Sequence, residues 1–381
     1  MIPLLPDRAT GFLLAQCEAA ANRGPMLARC QDGYEELLAR ELEGAGLRLA
    51  RIDSGGGWVL TDVDGAPAPA SPDWCFAHAV FFAPEIVEAG SVNALAAGIA
   101  ERFFASARTE RFDDSWPLQV TTASGLDGLG RRASAVEAAL REVLKKRMAR
   151  VARLASDEPP RQGLARGLFV CFTDFGRALV SREVWFGGQR RMADDPAAPS
   201  RSYLKVEEAC GVLGREPREG ETVVDLGAAP GGWSFSAARR SAQVIAIDNG
   251  PLKGGALAHP RIEHRREDAF RFRPGVSERF DWLFCDLVED PHHVLRSIVE
   301  PWLEGAWCRW FVVNLKFGRA DAIALLAEAR RRLAPRCEVL RARHLFHDRE
   351  EFTLVGEVRG AQPGQEAGDR GQVSASSCNQ R

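Results

Sequence analysis

Four charged residues stand where an apolar sequence would be expected to continue. Lys205 closes the stretch Ser200-Arg201-Ser202-Tyr203-Leu204-Lys205 at the head of a helical segment. Asp286 ends the apolar run Trp282-Leu283-Phe284-Cys285, Lys316 ends Phe311-Val312-Val313-Asn314-Leu315, and Glu350 opens the run that begins near Phe352. Packing does not account for charges at the ends of apolar strands. Buried charges are costly unless paired, so the three at strand ends or mouths are expected to share one site. Two lysines and two carboxylates together can move a proton. Lysine is a poor base at its ordinary pKa of about 10.4, but a second cation nearby and a dry pocket lower that value and free the amine lone pair. Glu351 adjoins Glu350 and would point to the opposite face of a strand. The order Arg349-Glu350 before the apolar run favours Glu350.

A second stretch offers a ligand cradle. In Thr222-Val223-Val224-Asp225-Leu226-Gly227-Ala228-Ala229-Pro230-Gly231-Gly232-Trp233-Ser234, a β-branched run ends in an acid, and a turn of small residues precedes a helix start. This reads as strand, tight turn, helix. Gly227, Gly231 and Gly232 permit backbone angles closed to other residues and a close approach by a ligand. Amides at the turn and helix start suit an anionic or polar group. The spacing is not G-x-G-x-x-G, which weakens a nicotinamide-dinucleotide reading. The next strand, residues 243–248, ends in Asp248, 21 residues after Gly227. That is where a nucleotide-binding α/β fold places a carboxylate for ribose hydroxyls.

These residues need strands and helices to position them. Over residues 200–358, strands are expected at 223–225, 244–248, 262–264, 282–285, 310–314, 337–340 and 352–355. Helices are expected at 205–213, 233–240, 291–303 and 319–333. Such alternation predicts an α/β domain with a doubly wound, parallel, Rossmann-like sheet and a ligand at the carboxyl ends of its strands. Residues 27–186 alternate strands and helices in a way that fits one or two ferredoxin-like α+β units. They include a long helix over about 131–154, and a hairpin turns at residues 174–176. The helix's exposed face would carry Arg131, Arg132, Arg141, Lys145, Lys146, Arg147, Arg150 and Arg153, either as a solvated face or against a phosphate backbone. Residues 187–199 read as a linker, 1–26 as an N-terminal extension, and 359–381 as a disordered tail.

Composition narrows the classes. The 381 residues carry a net charge of −2, so any RNA site must be a local patch. Nine cysteines are scattered without a C-x-x-C pair, which argues against a zinc site or disulfide framework and fits a reducing cytoplasm. No apolar run approaches the roughly 20 residues needed to span a bilayer. Trp302, Trp307 and Trp310 are expected in packing roles, His292 and His293 in a solvated loop, and Cys285 as a small buried residue.

The motif D-L-G-A-A-P-G-G-W resembles motif I of S-adenosylmethionine-dependent methyltransferases, in the form typical of ribose 2′-O-methyltransferases. Lys205–Asp286–Lys316–Glu350 resembles the K-D-K-E tetrad of those enzymes in order and spacing. Further similarity lies in S-R-S-Y-L-K-V-E-E-A, I-D-N-G-P, R-E-D-A-F, C-D-L-V-E, W-C-R-W-F-V-V-N-L-K and H-D-R-E-E-F. More loosely, residues 27–190 resemble the N-terminal region of bacterial 23S ribosomal RNA cytidine 2′-O-ribose methyltransferases, which carry a THUMP-type RNA-binding domain.

The resemblance implies S-adenosyl-L-methionine as cofactor. Gly227, Ala229, Pro230, Gly231, Gly232 and Trp233 would contact its methionine part through the backbone, and Ser202 its carboxylate. Asp248 would take the ribose, Asp268 the adenine amino group, and Asp286 would face the methyl donor. Lys316 would be the base for a ribose 2′-hydroxyl, Lys205 the second charge holding that oxygen, Asp286 the group orienting Lys316, and Glu350 the group orienting Lys205 or the ribose. No metal is implied. The implied partner is 23S ribosomal RNA or its precursor, met by a monomer in the cytoplasm and not at a membrane. Two other readings remain open: a 2′-O-methyltransferase for another RNA such as transfer RNA, and a non-catalytic RNA-binding assembly factor that keeps the fold.

Overall fold

The computed structural model describes residues 24–53, 55–62, 72–276 and 278–361. Almost all of the N-terminal extension and of the tail expected to be disordered lies outside the described residues. The chain divides into two units between Gly188 and Gln189.

In the first unit, β1 (Met26–Arg29), α1 (Glu35–Gly44), β2 (Leu49–Asp53), β3 (Trp58–Thr61) and β4 (Ala79–Phe82) are followed by β5 (Glu85–Glu88) and α2 (Val92–Ala107). Then come β6 (Trp116–Thr122), α3 (Leu129–Arg147), α4 (Ala149–Arg153), β7 (Ala155–Ser156), β8 (Gly163–Asp174) and β9 (Arg177–Phe186). Instead of separate ferredoxin-like sheets, one sheet runs through the unit in the order β2-β3-β1-β4-β9-β8-β6-β7, with β5 also on β9. The expected hairpin is present, since β8 and β9 pair antiparallel up to Asp174 and Arg177.

The long helix expected over 131–154 breaks at Met148, whose φ of −142° and ψ of 59° are not helical. The bend turns the Val151 and Leu154 carbonyls towards Trp116, whose indole and backbone N–H donate to them at 2.9 and 3.0 Å. Half of the helix's cations are already engaged within the unit. Arg132 donates to the Phe175 and Gly90 carbonyls, Arg141 pairs with Glu137 and Asp157, Arg147 with Glu101, and Arg150 with Asp113. Arg131, Lys145, Lys146 and Arg153 remain exposed to solvent.

The second unit is built on β10 (Thr222–Leu226), β11 (Gln243–Ile247), β12 (Ile262–Arg265), β13 (Phe280–Cys285), β14 (Cys308–Lys316), β15 (Cys337–Arg343) and β16 (Glu351–Val358). Its sheet order is β12-β11-β10-β13-β14-β16-β15. Every residue of β10 and β13 is buried, as fits central strands covered on both faces. The five strands from β12 to β14 are parallel. The sheet is not parallel throughout, because β16 runs antiparallel to both β14 and β15. Strand order reverses beside β10, which opens a crevice at the carboxyl ends of β10 and β13.

The helices are α5 (Tyr203–Leu213), α6 (Gly232–Arg239), α7 (Pro291–Val294), α8 (Glu300–Glu304) and α9 (Ala322–Leu333). The single helix expected over 291–303 is interrupted by a π-helical turn, Leu295–Val299, between α7 and α8. Pro301 has no N–H and crowds the carbonyl four residues earlier, at Ser297. Arg273 donates to that freed carbonyl at 3.4 Å.

Most of the expected linker packs on this unit. Glu208 of α5 is wholly buried and accepts the Arg190, Phe346 and His347 amides at 3.0, 3.0 and 3.3 Å. The Tyr203 hydroxyl donates to the Ala193 carbonyl at 3.0 Å, and Gly255 N–H donates to the Ala197 carbonyl at 3.3 Å. Glycine and proline content marks residues 187–199 as irregular, but over 189–199 irregular chain with satisfied backbone groups is part of a domain and not a tether.

Candidate active site

Three strand ends and one helix bring the charged residues together. Lys316 is the last residue of β14 and Glu351 the first of β16, and the two are register partners. Asp286 follows β13 directly, and its N–H donates to the Leu226 carbonyl at 3.2 Å. Lys205 lies in the first turn of α5. Lys316 Nζ pairs with Asp286 Oδ1 and also donates to Asn314 Oδ1 at 3.3 Å. Lys205 Nζ pairs with Glu351 Oε1. All four side chains are at most 23% exposed, so both pairs are shielded from solvent.

Glu351, and not Glu350, completes this set. Cross-strand partners share a face, and alternate residues of a strand do too. Glu351 and Thr353 therefore face the same way as Lys316 and Asn314, while Glu350 precedes the strand and is exposed. The Arg349 N–H, donating to Glu351 Oε1 at 3.1 Å, fixes the carboxylate further.

The expected effect of crowding on lysine basicity is reversed for Lys205. Burial alone would depress its pKa, but the Asp286, Asp348 and Glu351 carboxylates outweigh burial and raise it above the ordinary lysine value. Lys205 is therefore a fixed ammonium.

A cleft beside Asp286 is lined by Gly227, Asp248, Asn249, Asp268, Phe270 and Leu287, among others. Asp248 accepts the Ala229 N–H on Oδ2 at 2.9 Å and the Gly250 N–H on Oδ1 at 2.7 Å. It thereby shapes the turn and leaves one lone pair on each oxygen for a ligand. Asp268 accepts the Phe270 N–H on Oδ1 at 2.9 Å, pairs with Arg271 through Oδ2 at 3.5 Å, and is exposed. Gly227, at φ +80°, lines the cleft, and a Cβ there would lie 2.8 Å from the Leu287 side chain. This is an open cradle with carboxylates on its rim, which fits a nucleoside-bearing cofactor.

The rest of the glycine turn has a packing role. Ala229, Pro230, Gly231, Gly232, Trp233 and Ser202 do not line this cleft. Gly231 is covered by Ala256 and Leu252, and Gly232 by Ser202 and Ser200, with a Cβ at Gly232 only 2.5 Å from Ser202 Oγ. Trp233 is 3% exposed, and its indole donates to the Ser202 carbonyl at 2.9 Å. A Cβ on Gly232 would meet the residues at the start of α5, and one on Gly231 the segment after β11, so both positions exclude a side chain.

Asp225, inside the same motif, carries no sequence signal of a special role because it looks like an ordinary strand end. It is 1% exposed; Ser234 Oγ donates to its Oδ2 at 2.6 Å, and Oδ1 has no partner. Burial, reinforced by the charges of Asp286 and Asp248, pushes its pKa up to about 7. A carboxyl raised on folding contributes stability below its unfolded pKa and loses it as pH rises through the folded one. Between pH 3.8 and about 7, Asp225 therefore weakens the fold as pH increases. Asp225→Asn is expected to flatten that fall in Tm by several degrees. A pH series of melting curves checks this, and parallel curves for the two proteins would remove the assignment.

The expectations of packing and loop roles for neighbouring residues divide. Trp302 and Cys285 are buried, but His292 is not a free loop residue, since its Nδ1 lies 2.6 Å from Glu328 Oε2. His293 stacks on Phe270 of the cleft, ring centroids 4.7 Å apart.

Comparison with known proteins adds to this geometry. A family model described as FtsJ-like methyltransferase matches residues 198–315. The chain is 33% identical over 362 residues to "Ribosomal RNA large subunit methyltransferase M" of Xanthomonas oryzae pv. oryzae (strain KACC10331 / KXO85), spanning 88% of this chain and 99% of that protein. It is 33% identical over 351 residues to the protein of the same name from Laribacter hongkongensis, spanning 85% and 92%. The counterpart in Alkalilimnicola ehrlichii is 34% identical over 353 residues, spanning 86% and 93%.

Proposed function

The chain belongs to the ribosomal RNA large subunit methyltransferase M family, with an FtsJ-like methyltransferase domain, and we propose that it methylates the 2′-oxygen of a cytidine in 23S ribosomal RNA. It is an S-adenosylmethionine-dependent methyltransferase. The observation that carries the ribose assignment is the double lysine–carboxylate pairing of Lys316 with Asp286 and Lys205 with Glu351, set beside the cleft.

When bound, S-adenosylmethionine supplies a methyl group on a sulfonium. Gly227, Asp248 and Asp268 would hold its nucleoside part in the cleft. Ser202 and the turn from Ala229 to Trp233 act chiefly by fixing that cradle. Lys316, once neutral, takes the proton of the 2′-hydroxyl as the oxygen attacks. Lys205 stays charged and donates to the same oxygen, which favours its anionic form. Asp286 orients Lys316, and Glu351 orients Lys205. The rest is alignment of oxygen and methyl.

The first unit is assigned to RNA binding of the THUMP type, with Arg131, Lys145, Lys146 and Arg153 as the cations left for phosphates. Ribosomal RNA or its precursor is the partner, and a monomer in the cytoplasm suffices for the reaction. Among the described residues, no helix is long and apolar enough to cross a membrane.

The test uses labelled S-adenosylmethionine and ribosomal RNA lacking its own modifications. A 2′-O-methyl blocks alkaline cleavage at its own phosphodiester. Label is therefore expected in an alkali-resistant dinucleotide whose first base is cytosine. Label in mononucleotides would mean base methylation and would refute the proposal.

A further inference from the structure

Two residues with no role assigned so far, Asn314 and Asp348, tie the proposed base to the interior. Asn314 precedes Lys316 by two residues on β14, so both side chains project from one face of the strand. It is 1% exposed. Its Oδ1 accepts from Lys316 Nζ at 3.3 Å, and its Nδ2 donates to Asp348 Oδ1 at 3.1 Å and to Thr353 Oγ1 at 3.2 Å. The orientation of the amide is chemically forced. An ammonium only donates, so the carboxamide oxygen must face the lysine and its NH2 must face the carboxylate.

Asp348 is 1% exposed and is itself pinned, since Oδ2 accepts the Leu345 N–H at 3.0 Å and the Thr353 hydroxyl at 3.1 Å. Thr353 is the register partner of Asn314, as Glu351 is of Lys316. The two cross-strand pairs thus stack one above the other, the outer carrying Lys316 and Glu351 and the inner an amide and a hydroxyl that both bond Asp348.

We infer that Asn314 is a positioning residue that aims the Lys316 lone pair at the substrate hydroxyl, and that Asp348 and Thr353 lock its amide in the orientation required. This rests on the reading of Lys316 as the base. A neutral lysine has two N–H bonds and one lone pair. Asp286 Oδ1 takes one N–H and Asn314 Oδ1 the other, so the lone pair is left for the third direction. With Asn314 absent, one N–H is unassigned and the lone pair is free to rotate away. Sub-ångström misalignment of a reacting pair costs heavily in rate.

Asn314→Ala is expected to lower kcat by about tenfold to a hundredfold, with the KM for RNA and the Kd for S-adenosylmethionine within about twofold of the parent. Asn314→Asp keeps the shape and supplies the second readout, independent of whether the alanine variant folds. The groups facing Lys316 are then Asp286 from the end of β13, Lys205 from α5, Glu351 from β16, Asp348 from the loop before it, and the new carboxylate. Asp348, whose burial already favours its neutral form, can keep a proton and donate it to that carboxylate. That carboxylate lies directly against Lys316 and favours its charged form, so the rise of kcat with pH is expected to move upward. An alanine variant with kcat within twofold of the parent overturns the inference, as does an aspartate variant whose pH profile superimposes on the parent's. Both are read against parent enzyme assayed for the alkali-resistant dinucleotide. Parent without that product refutes the site's reading itself, whereas parent with it and indifferent Asn314 variants refutes only the role of Asn314.

Discussion

Lys316→Ala is expected to reduce methyl transfer by about a thousandfold or more while S-adenosylmethionine still binds within about twofold of the parent affinity. General-base catalysis contributes roughly 10²–10⁴ in rate, and here the base also anchors Asp286. The lysine lies at the end of β14, whereas the cleft is lined by residues following β10, β11, β12 and β13, so the cradle survives its removal. Single-turnover rates on unmodified ribosomal RNA, with calorimetric titration of the cofactor, separate the two quantities. Turnover near the parent rate would remove Lys316 from the role of base. A joint loss of rate and of cofactor binding would instead make it a structural partner of Asp286. Because the base must be neutral, parent kcat should rise with pH, and the residual rate of the alanine variant should lack that rise.

Glu350 and Glu351 give the second large effect, and the contrast between neighbours makes it diagnostic. Glu351→Gln is expected to lower kcat by roughly tenfold to a hundredfold, and Glu350→Gln to leave it within about twofold. Glu351 holds the Lys205 ammonium at a site where its own side chain is 10% exposed and that of Lys205 is 13% exposed. Removing the hydrogen-bonded partner of a buried pair costs up to about 3–5 kcal/mol, an upper bound here because the Asp286 and Asp348 carboxylates still face Lys205. Lys205 then swings towards Asp286 or water and no longer fixes the attacking oxygen. Glu350 is exposed before the strand begins, where a neutral amide is equally at home. Steady-state kinetics and melting curves on the two glutamine variants decide it. Equal activity of both, or loss confined to the Glu350 variant, would reassign the fourth position.

How far the sequence carries differs between the two units. In the second unit, apolar runs ending in Asp286 and Lys316 announced central parallel strands and a site at their carboxyl ends, because a charge directly after a buried run is unfavourable unless a partner or a ligand meets it there. In the first unit the alternation of strands and helices is legible, yet the union of its strands into one sheet is not. Pairing of β4 with β9 joins residues about a hundred positions apart, and alternation along a strand carries no record of which strand lies beside it. Strands β2 and β5 carry little sequence signal because Leu49–Asp53 and Glu85–Glu88 are mostly exposed, which hides the alternation of a half-buried strand.

Residue types and local spacing already display the chemistry available: a glycine turn after a buried strand, an acid after the next, a lysine and an aspartate at strand ends, and a second lysine at a helix start. Those are matters of residue type and local spacing, and local spacing is what a chain displays. The tertiary structure decided which groups meet. The register of β14 on β16 chose Glu351 over Glu350 and placed Asn314 beside Thr353 and Asp348. Packing of the segment after β11 on Gly231, and of the start of α5 on Gly232, leaves no room for a side chain at either position. Three carboxylates around Lys205 reversed the direction in which burial alone would have moved its pKa. Each outcome depends on distances between residues far apart in the chain. Coulomb and contact energies are set by those distances and by burial, neither of which is fixed until the strands have paired.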